Sequence, residues 1–391
     1  MQLIRAGFDG LDISYPLSID QELADKMQAG REVAELGGGE RGGFFHNGVR
    51  MEVAATGARG GYAYRCDSGF GGHQGENWFF KKPNDRADDW GVRVSCRALP
   101  LAMNGLAKTR ARIEGTLAKL GLDYVPGTES IGRVDVACDV LAPDFVLDRS
   151  HFVAHASSRV QEISDNLVHV NGRSGRVESV TIGKNPNRQV VVYDKRAEVI
   201  ATGKSFWWPI WDDALAAQGL PPLKPKDRAA SAVWRLEIRA FKRHLKDKFE
   251  VTTWGHLREQ LPFILHYALC DVRLTLPQAD TNRARWPDHP LWALAHDVFG
   301  QDMEDLHSMA DPAKIESLIF EKRDEMLRGQ IAGCLMSRAA LHGVSKRHLR
   351  AYVMASTELI VKEWERRPEW TGERLERAQA KYWSAEGGDF T

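Results

Sequence analysis

The sequence predicts an α+β fold in which a twisted, antiparallel-rich sheet carries helices on one face and a helical C-terminal domain follows. Two segments, 133–140 and 234–239, alternate apolar and polar residues with the two-residue period of a β-strand. A third, 190–194, begins with three consecutive valines, which are typical of strands. Hairpin turns join several strand-like segments, which favours antiparallel pairing. Beyond Thr253 the apolar spacing becomes helical.

The length of 391 residues is enough for two or three domains. We expect a sheet domain over residues 1–250, built from two pseudo-repeated halves, and a helical domain over residues 251–391. The sheet domain contains the chemically informative segments, so we expect it to hold the active site.

Alternation gives two of the predicted strands one apolar and one polar face. The polar faces carry acidic and basic side chains: Arg133, Asp135 and Asp139 on the first strand, and Arg235, Glu237 and Arg239 on the second. If these strands lie in one sheet, the carboxylates and basic groups combine on one surface.

The segment Val190–Glu198 adds a tyrosine and a lysine. If the strand continues through it, Tyr193 and Lys195 share one face. A tyrosine beside a lysine is a candidate nucleophile, because a cation stabilises the phenolate. Together with the carboxylates, these groups are the components of a metal-assisted phosphoryl transfer to tyrosine. The alternative interpretation is an ion-paired sheet face with a tyrosine at the edge of the core.

Two further features allow two interpretations each. Asp12 either adds a carboxylate to the polar face or is a solvated strand residue. The aromatic-rich segment 206–211 either stacks on unpaired bases or plugs the core.

Three segments follow one another in a recognisable order: IGRVDVACD at 131–139, TIGK at 181–184 with RQVVVYDK at 188–195 and Glu198, and WRLEIR at 234–239. This ordered set resembles the replication initiation factor family, the tyrosine DNA-nicking proteins of rolling-circle plasmids, some phages and integrative elements. The sequence departs from the family at Asn187, where a serine is common, and in the tryptophan-rich insertion at 205–225. The C-terminal third resembles the family only loosely.

The resemblance implies a metal-dependent DNA-nicking domain over residues 1–250, with Tyr193 as the nucleophile. Asp135 and Glu237 are expected to bind Mg²⁺ or Mn²⁺, which carboxylate ligation suits. Asp139 is a less favourable third ligand, because four residues along a straight strand separate it from Asp135 by about 13 Å.

The basic residues around this site are expected to act on the phosphates. Lys195 and Arg235 would contact the scissile phosphate or stabilise the phenolate. Five others are expected to bind DNA: Lys184, Arg188, Arg239, Lys242 and Arg243.

The predicted reaction is site-specific nicking and closing of DNA through a 5′-phosphotyrosyl intermediate. The resemblance implies that the free 3′-OH primes rolling-circle replication. It also implies double-stranded origin DNA with a locally single-stranded nick site, a homodimer and a host helicase partner. A conjugative relaxase with the same chemistry and a non-catalytic origin-binding protein are the alternative functions.

Composition argues against several other classes. Equal numbers of basic and acidic residues, 53 each, disfavour a polybasic DNA coater, although a local basic patch is compatible with DNA binding. The five cysteines form no CxxC pair, so neither a zinc site nor a disulfide framework is expected. No His-x-His pair occurs, which disfavours the histidine-dependent nicking enzymes. The chain shows no signal peptide and no apolar run of membrane-spanning length, so we expect a soluble cytoplasmic protein.

Overall fold

A computed structural model describes residues 1–36, 42–69, 74–84, 89–154, 168–173, 175–301, 308 and 310–382. The chain divides into two compact units, Met1–Ala310 and Asp311–Thr391. This division lies later than the predicted one between residues 250 and 251. The physical reason is that the segment 254–299 buries apolar side chains such as Leu257 and Trp292 in the core of the first unit.

The secondary structure follows the alternation in the sequence. The strands are β1 (Gln2–Tyr15), β2 (Gly42–His46), β3 (Val49–Val53), β4 (Tyr64–Asp67), β5 (Glu76–Phe80), β6 (Val92–Cys96), β7 (Ser130–Leu141), β8 (Phe152–Ala154), β9 (Val168–Arg173), β10 (Arg176–Lys184), β11 (Arg188–Asp194), β12 (Val233–Phe241) and β13 (Val272–Leu274). The α-helices are α1 (Gln21–Leu36), α2 (Ala98–Lys119), α3 (Lys195–Thr202), α4 (Trp207–Ala217), α5 (Lys242–Phe249), α6 (Trp254–Asp271), α7 (Pro290–Phe299), α8 (Pro312–Leu341), α9 (Leu349–Glu365) and α10 (Pro368–Tyr382).

An 11-stranded sheet of order β2-β3-β4-β5-β6-β1-β7-β12-β11-β10-β9 forms the frame of the first unit. Its central strands β1 and β7 pair antiparallel. Each of them also pairs antiparallel with the last sheet strand of its own half, β1 with β6 and β7 with β12. This arrangement confirms the predicted α+β fold with an antiparallel sheet. Strands β8 and β13 form a separate small ribbon.

One face of the sheet carries a continuous apolar core. Strand residues such as Val136, Val192 and Ile238 pack there with side chains of α1, α2, α5, α6 and α7. The opposite face of the central strands carries the charged residues, with α3 and α4 beside them. The helices predicted on one face of the sheet therefore cover the apolar core, while the short helices α3 and α4 lie on the polar face.

A β-bulge in β1 adjusts which side chains face that core. The register of β1 against β7 shifts between Phe8 and Gly10, so Asp9 is the additional residue. Phe8 and Leu11 therefore both point into the core although they are three residues apart. The bulge leaves the Asp9 carboxylate on the polar face.

The second unit consists of α8, α9 and α10. Helices α8 and α9 flank a turn at Gly343, whose φ of +64° suits a glycine. The hydroxyl of Tyr352 on α9 donates a hydrogen bond to the carbonyl of Arg338 on α8 at 3.3 Å. Within the part of the chain that the structure describes, no helix has the length and apolar character needed to cross a bilayer.

His244 of α5 makes the stability of the first unit sensitive to pH. Its ring lies 5.3 Å from the ring of Phe249 and 6.2 Å from that of Tyr267, measured between centroids. Burial, together with the charges of Arg188 and Lys248, lowers the pKa of His244 to about 4. The unfolded chain binds this proton near the ordinary pKa of about 6.5. The contribution to stability is therefore fully present above that pH and is lost as pH falls through the folded-state pKa.

In urea unfolding, the wild-type midpoint should fall as pH is lowered from about 6.5 to about 4. The His244→Phe variant keeps an aromatic ring but binds no proton, so it should remove part of that decline. His256→Gln, at an exposed position of α6, is the control and should keep the wild-type slope. Identical pH dependence in His244→Phe and wild type would contradict this role of His244.

Candidate active site

A cleft of about 730 Å³ opens on the polar face of the central strands. Residues of β1, β7, β11 and β12 line it together with α3 and the first residues of α2 and α4. Five of the predicted site residues line this cleft: Asp135, Tyr193, Lys195, Glu237 and Arg239. The sheet therefore brings the predicted tyrosine, two carboxylates and one arginine together, and α3 adds the lysine.

Tyr193 is held at the end of β11, directly opposite Arg235 of β12. Its hydroxyl donates a hydrogen bond to Glu237 Oε2 at 3.0 Å. Burial, followed by the negative charge of Glu237, raises the pKa of Tyr193 well above its ordinary value, while Arg235 acts in the opposite direction. The phenol is therefore protonated at neutral pH and already points at a carboxylate that can accept its proton.

Asp135 is a buried carboxylate on β7. Arg133 donates to its two oxygens at 2.8 and 2.5 Å. Burial, with the nearby charge of Glu237, raises the pKa of Asp135 to about 7 against the opposing effect of Arg133. Gly10 faces Asp135 across the β1–β7 pair, and a Cβ at Gly10 would lie only 2.7 Å from Asp135 Oδ2. The absence of a side chain at Gly10 therefore provides the space for this carboxylate.

Glu237 of β12 is the second carboxylate of the cleft. Arg239 Nε donates to its Oε1 at 2.6 Å, and the phenol of Tyr193 donates to Oε2. Asp135 and Glu237 thus lie close enough for one charge to affect the other, and each is bonded by an arginine. Among the described residues, no group of three or more His, Cys, Asp and Glu side chains is arranged to hold a metal ion.

Asp139 and Arg235 form a buried ion pair instead of lining the cleft. The guanidinium donates to the two Asp139 oxygens at 2.5 and 2.7 Å, and to Asp9 Oδ1 at 2.6 Å. Trp211 Nε1 also donates to Asp139, at 2.9 Å. The predicted roles of Asp139 as a metal ligand and of Arg235 as a phosphate contact place both groups in the cleft, whereas the structure buries them away from it. Both groups direct their polar atoms at partners inside the protein, and both side chains are fully buried.

The aromatic segment 206–211 covers this ion pair. Trp207 and Trp211 are fully buried and their rings stack with centroids 6.1 Å apart. The Cζ atoms of Arg235 and Arg5 lie 4.5 and 4.7 Å from the ring centroid of Trp207. These two tryptophans therefore act as a plug over the buried ion pair, and their burial leaves no free face on which a base could stack.

Lys195 lies at the start of α3 and does not continue the strand as predicted. The strand ends because the Asp194 carboxylate accepts a hydrogen bond from the Ala197 amide at 2.8 Å and caps the helix. Lys195 Nζ nevertheless lies 5.6 Å from the ring centroid of Tyr193. It forms an ion pair with Glu198 Oε2 at 2.7 Å. The lysine therefore lies beside the predicted nucleophile, but it does so from the first turn of a helix and not from the strand.

The residues predicted to bind DNA separate into three groups. Three are exposed: Lys184, Lys242 and Arg243. Arg239 lines the cleft. Arg188 pairs with Asp271 of α6, and its Cζ lies 5.4 Å from the ring centroid of Tyr267. The prediction that Arg188 binds DNA is therefore corrected, because this side chain packs β11 against α6.

The sequence interpretation missed the contribution of Arg5, Asp9 and Gly10 from β1. The i, i+4 spacing of Arg5 and Asp9 was a usable signal, but the position of Asp9 depends on the bulge. Asp12, which allowed two interpretations, lines the cleft, and its charge contributes to raising the pKa of Arg133. It therefore adds negative charge at the polar face.

No protein-family model and no curated protein matches the chain. The solved structure of a rolling circle replication initiator protein from Geobacillus stearothermophilus is similar at 14% identity and a TM-score of 0.37. The alignment covers 77% of this chain and 99% of the other. At this level of identity and overlap, the similarity assigns neither a family nor an activity to the chain.

Removing Asp139 should strongly destabilise the first unit, because it leaves the Arg235 charge buried with fewer partners. We expect Asp139→Ala to lower the free energy of unfolding by about 3–5 kcal/mol in urea titrations. The control is Asp247→Ala, which breaks the exposed pair with Arg243 at 3.5 Å. That change should cost less than about 1 kcal/mol. Nearly unchanged stability of Asp139→Ala, with loss of Mn²⁺ binding, would restore Asp139 as a metal ligand.

Proposed function

We propose that the protein nicks and rejoins one strand of DNA at a specific site, using Tyr193 as the nucleophile. The products are a 5′-phosphotyrosyl intermediate and a free 3′-OH that starts rolling-circle replication. The observation that carries the proposal is the hydrogen bond from the Tyr193 hydroxyl to the Glu237 carboxylate, in a cleft that also contains Asp135 and Lys195. The ordered motifs of the sequence support the same reaction.

The cleft supplies the groups that this reaction needs. A phenol with a raised pKa needs an acceptor for its proton, and Glu237 Oε2 already accepts its hydrogen bond. The pentavalent transition state is negatively charged, so fixed cations stabilise it. Arg239 and Lys195 place such charges in the cleft. Hydrogen bonds to neighbouring strands and side chains hold these groups before substrate binds, which lowers the cost of orienting them.

A divalent ion fits the pair Asp135 and Glu237. The charge of Glu237 raises the pKa of Asp135, which shows that the two carboxylates repel each other. A cation bound to both would relieve this repulsion. Mg²⁺ and similar ions are commonly held by one or two carboxylates, with water and substrate phosphate as the other ligands. Asp135 and Glu237 would hold the ion, and the bound ion would offset the charge of the scissile phosphate. Asp139 has no place in this set because Arg235 binds it.

The partners follow from the same proposal. Double-stranded origin DNA with a single-stranded nick site is the ligand, and the exposed residues Lys184, Lys242 and Arg243 are available for its backbone phosphates. A second copy of the chain and a host helicase complete the proposed initiation complex on the ground of the family resemblance. A conjugative relaxase would use the same residues, and a replication origin or a transfer gene cluster beside the gene would distinguish the two functions.

The proposal is tested by trapping the covalent intermediate. The protein is incubated with Mn²⁺ and a supercoiled plasmid that carries the DNA around its own gene, and the reaction is stopped with detergent. Wild type should give a protein–DNA adduct, and Tyr193→Phe should give none because the attacking oxygen is absent. Peptide mapping should place the nucleotide on Tyr193.

Tyr267→Phe is the matched control, because it removes one hydroxyl from a half-buried tyrosine outside the cleft. It should form the adduct as wild type does. An adduct that persists in Tyr193→Phe would assign the reaction to another tyrosine. DNA binding by wild type without an adduct or nick on the origin plasmid would favour the non-catalytic origin-binding protein.

Substituting Gly10 should weaken metal-dependent activity through Asp135. The added Cβ of Gly10→Ala would displace the Asp135 carboxylate, whose Oδ2 lies 2.7 Å from that position. We expect the Mn²⁺ concentration for half-maximal adduct formation to rise about 10–100-fold, as for other changes beside metal ligands. Gly132→Ala is the control, because a Cβ there would meet its nearest atom at an ordinary 3.5 Å. Equal Mn²⁺ requirements in both variants and wild type would remove Asp135 from the proposed metal site.

A further inference from the structure

We propose that Lys195 is the general acid that protonates the leaving 3′ oxygen when Tyr193 attacks the scissile phosphate. This inference rests on the proposed nicking activity, and it assigns to Lys195 the proton that the leaving 3′ oxygen must gain. An alkoxide is a poor leaving group in water, and a positioned acid typically accelerates such a step by about 10²–10⁴-fold. Glu237 accounts for the proton of the phenol, but not for the proton that the 3′ oxygen gains.

The position of Lys195 is unusual for a lysine. The residue is only 3% exposed, although lysine is rarely buried. Its Nζ lies 5.6 Å from the ring centroid of Tyr193 and 5.0 Å from that of Trp207. The two rings therefore confine the ammonium group beside the nucleophile. Because Lys195 also lines the cleft, a phosphate bound at the Tyr193 hydroxyl shares the same space.

The other basic residues that line this cleft are poorly suited to release a proton. Three of them are arginines: Arg97, Arg133 and Arg239. A guanidinium stays charged in proteins, so it stabilises negative charge but does not act as an acid. The second lysine, Lys204, extends to a more exposed position, at 33%. Lys195 is therefore the cation that combines burial, contact with the nucleophile and a proton that can be released.

Charge around Lys195 keeps it protonated yet able to donate. Burial, followed by the charge of Arg235, lowers the pKa of Lys195, whereas Asp9 and Glu198 raise it. Glu198 holds both Lys195 Nζ at 2.7 Å and Lys204 Nζ at 2.6 Å. The carboxylate thus fixes the direction of the ammonium group. Through Glu198, Lys195 is also linked to the more exposed Lys204, by which a proton that Lys195 has donated can be replaced.

The proton balance of the step is complete. The phenol oxygen forms a bond to phosphorus as the bond between phosphorus and the 3′ oxygen breaks. The phenol proton passes by way of the Glu237 carboxylate, which accepts its hydrogen bond, to water in the open cleft. An ammonium proton of Lys195 passes to the 3′ oxygen, which leaves as the 3′-OH. In the joining direction the neutral amine of Lys195 takes the proton back from the attacking 3′-OH, and the departing phenolate regains a proton from water by the same route.

The test replaces the leaving oxygen by sulfur. The substrates are two oligonucleotides that span the nick site mapped by the adduct experiment. One has the natural linkage and the other a 3′-bridging phosphorothiolate, whose thiolate leaves without protonation. On the natural substrate, Lys195→Met and Lys195→Arg should each slow single-turnover adduct formation by about 10²–10⁴-fold. On the sulfur substrate, both variants should come within about tenfold of wild type, which is well short of the general-acid effect.

The two variants separate the possible roles of Lys195. Lys195→Arg keeps the charge and cannot donate, so full activity of this variant on the natural substrate would overturn the proposal in favour of charge stabilisation. An equal loss on both substrates would overturn it in favour of phosphate positioning or folding. Lys26→Met, which removes a surface lysine paired with Glu22 on α1, is the control and should behave as wild type. If wild type reacts with neither substrate, the nicking activity itself is wrong, and that result is distinct from a failure of Lys195 alone.

Discussion

The buried charge of Arg235 is the constraint on which the centre of this protein depends. A guanidinium removed from water is strongly destabilising unless carboxylates accept its hydrogen bonds. Asp139 from β7 and Asp9 from β1 accept them, so the ion pair connects the three central strands β1, β7 and β12. It fixes the registers of these strands, because a slip by one residue would turn Asp139 or Arg235 toward the apolar core. The pairing of β11 with β12 then places Tyr193 beside the same network.

The polar face of the sheet has a buried part under α4 and an open part that forms the cleft, and its charged residues differ in role accordingly. Beneath α4, Trp207 and Trp211 exclude water, and the charges there neutralise one another. On β12, Arg235 is buried under this cover, whereas Glu237, two residues further along, lines the open cleft. On β7, Asp139 is buried, whereas Asp135, four residues before it, lines the cleft. Side chains on one face of one strand therefore differ in role because a helix covers one and leaves the other accessible. The aromatic segment 206–211 provides that cover.

Local sequence patterns predicted the strands β7, β11 and β12 that carry part of the cleft, because alternation decides which residues share a face. They predicted that Asp135, Glu237 and Tyr193 share one surface if their strands lie in one sheet, and all three line the same cleft. Alternation does not reveal which charges pair with each other, so Asp139 and Arg235 were assigned to the cleft. Nor does it reveal the bulge at Asp9, which depends on how two strands fit together. The division at Ala310 lies later in the chain than the predicted one, because helical spacing does not show whether a helix packs on the preceding sheet.

In the proposed reaction, the raised pKa of Tyr193 has to be offset by cations in the cleft. Burial and the charge of Glu237 both hold the proton on the phenol, so the free protein keeps this tyrosine protonated. A bound DNA phosphate would bring further negative charge, which on its own would raise that pKa again. The proposed attack therefore requires positive charge that acts on the phosphate and the phenol together. Arg239 and Lys195 are the cations placed to do this: Arg239 donates a hydrogen bond to Glu237, and Lys195 lies over the ring of Tyr193. Glu237 holds Arg239 and Glu198 holds Lys195 before any substrate binds, so the fold positions both cations in advance for the proposed reaction.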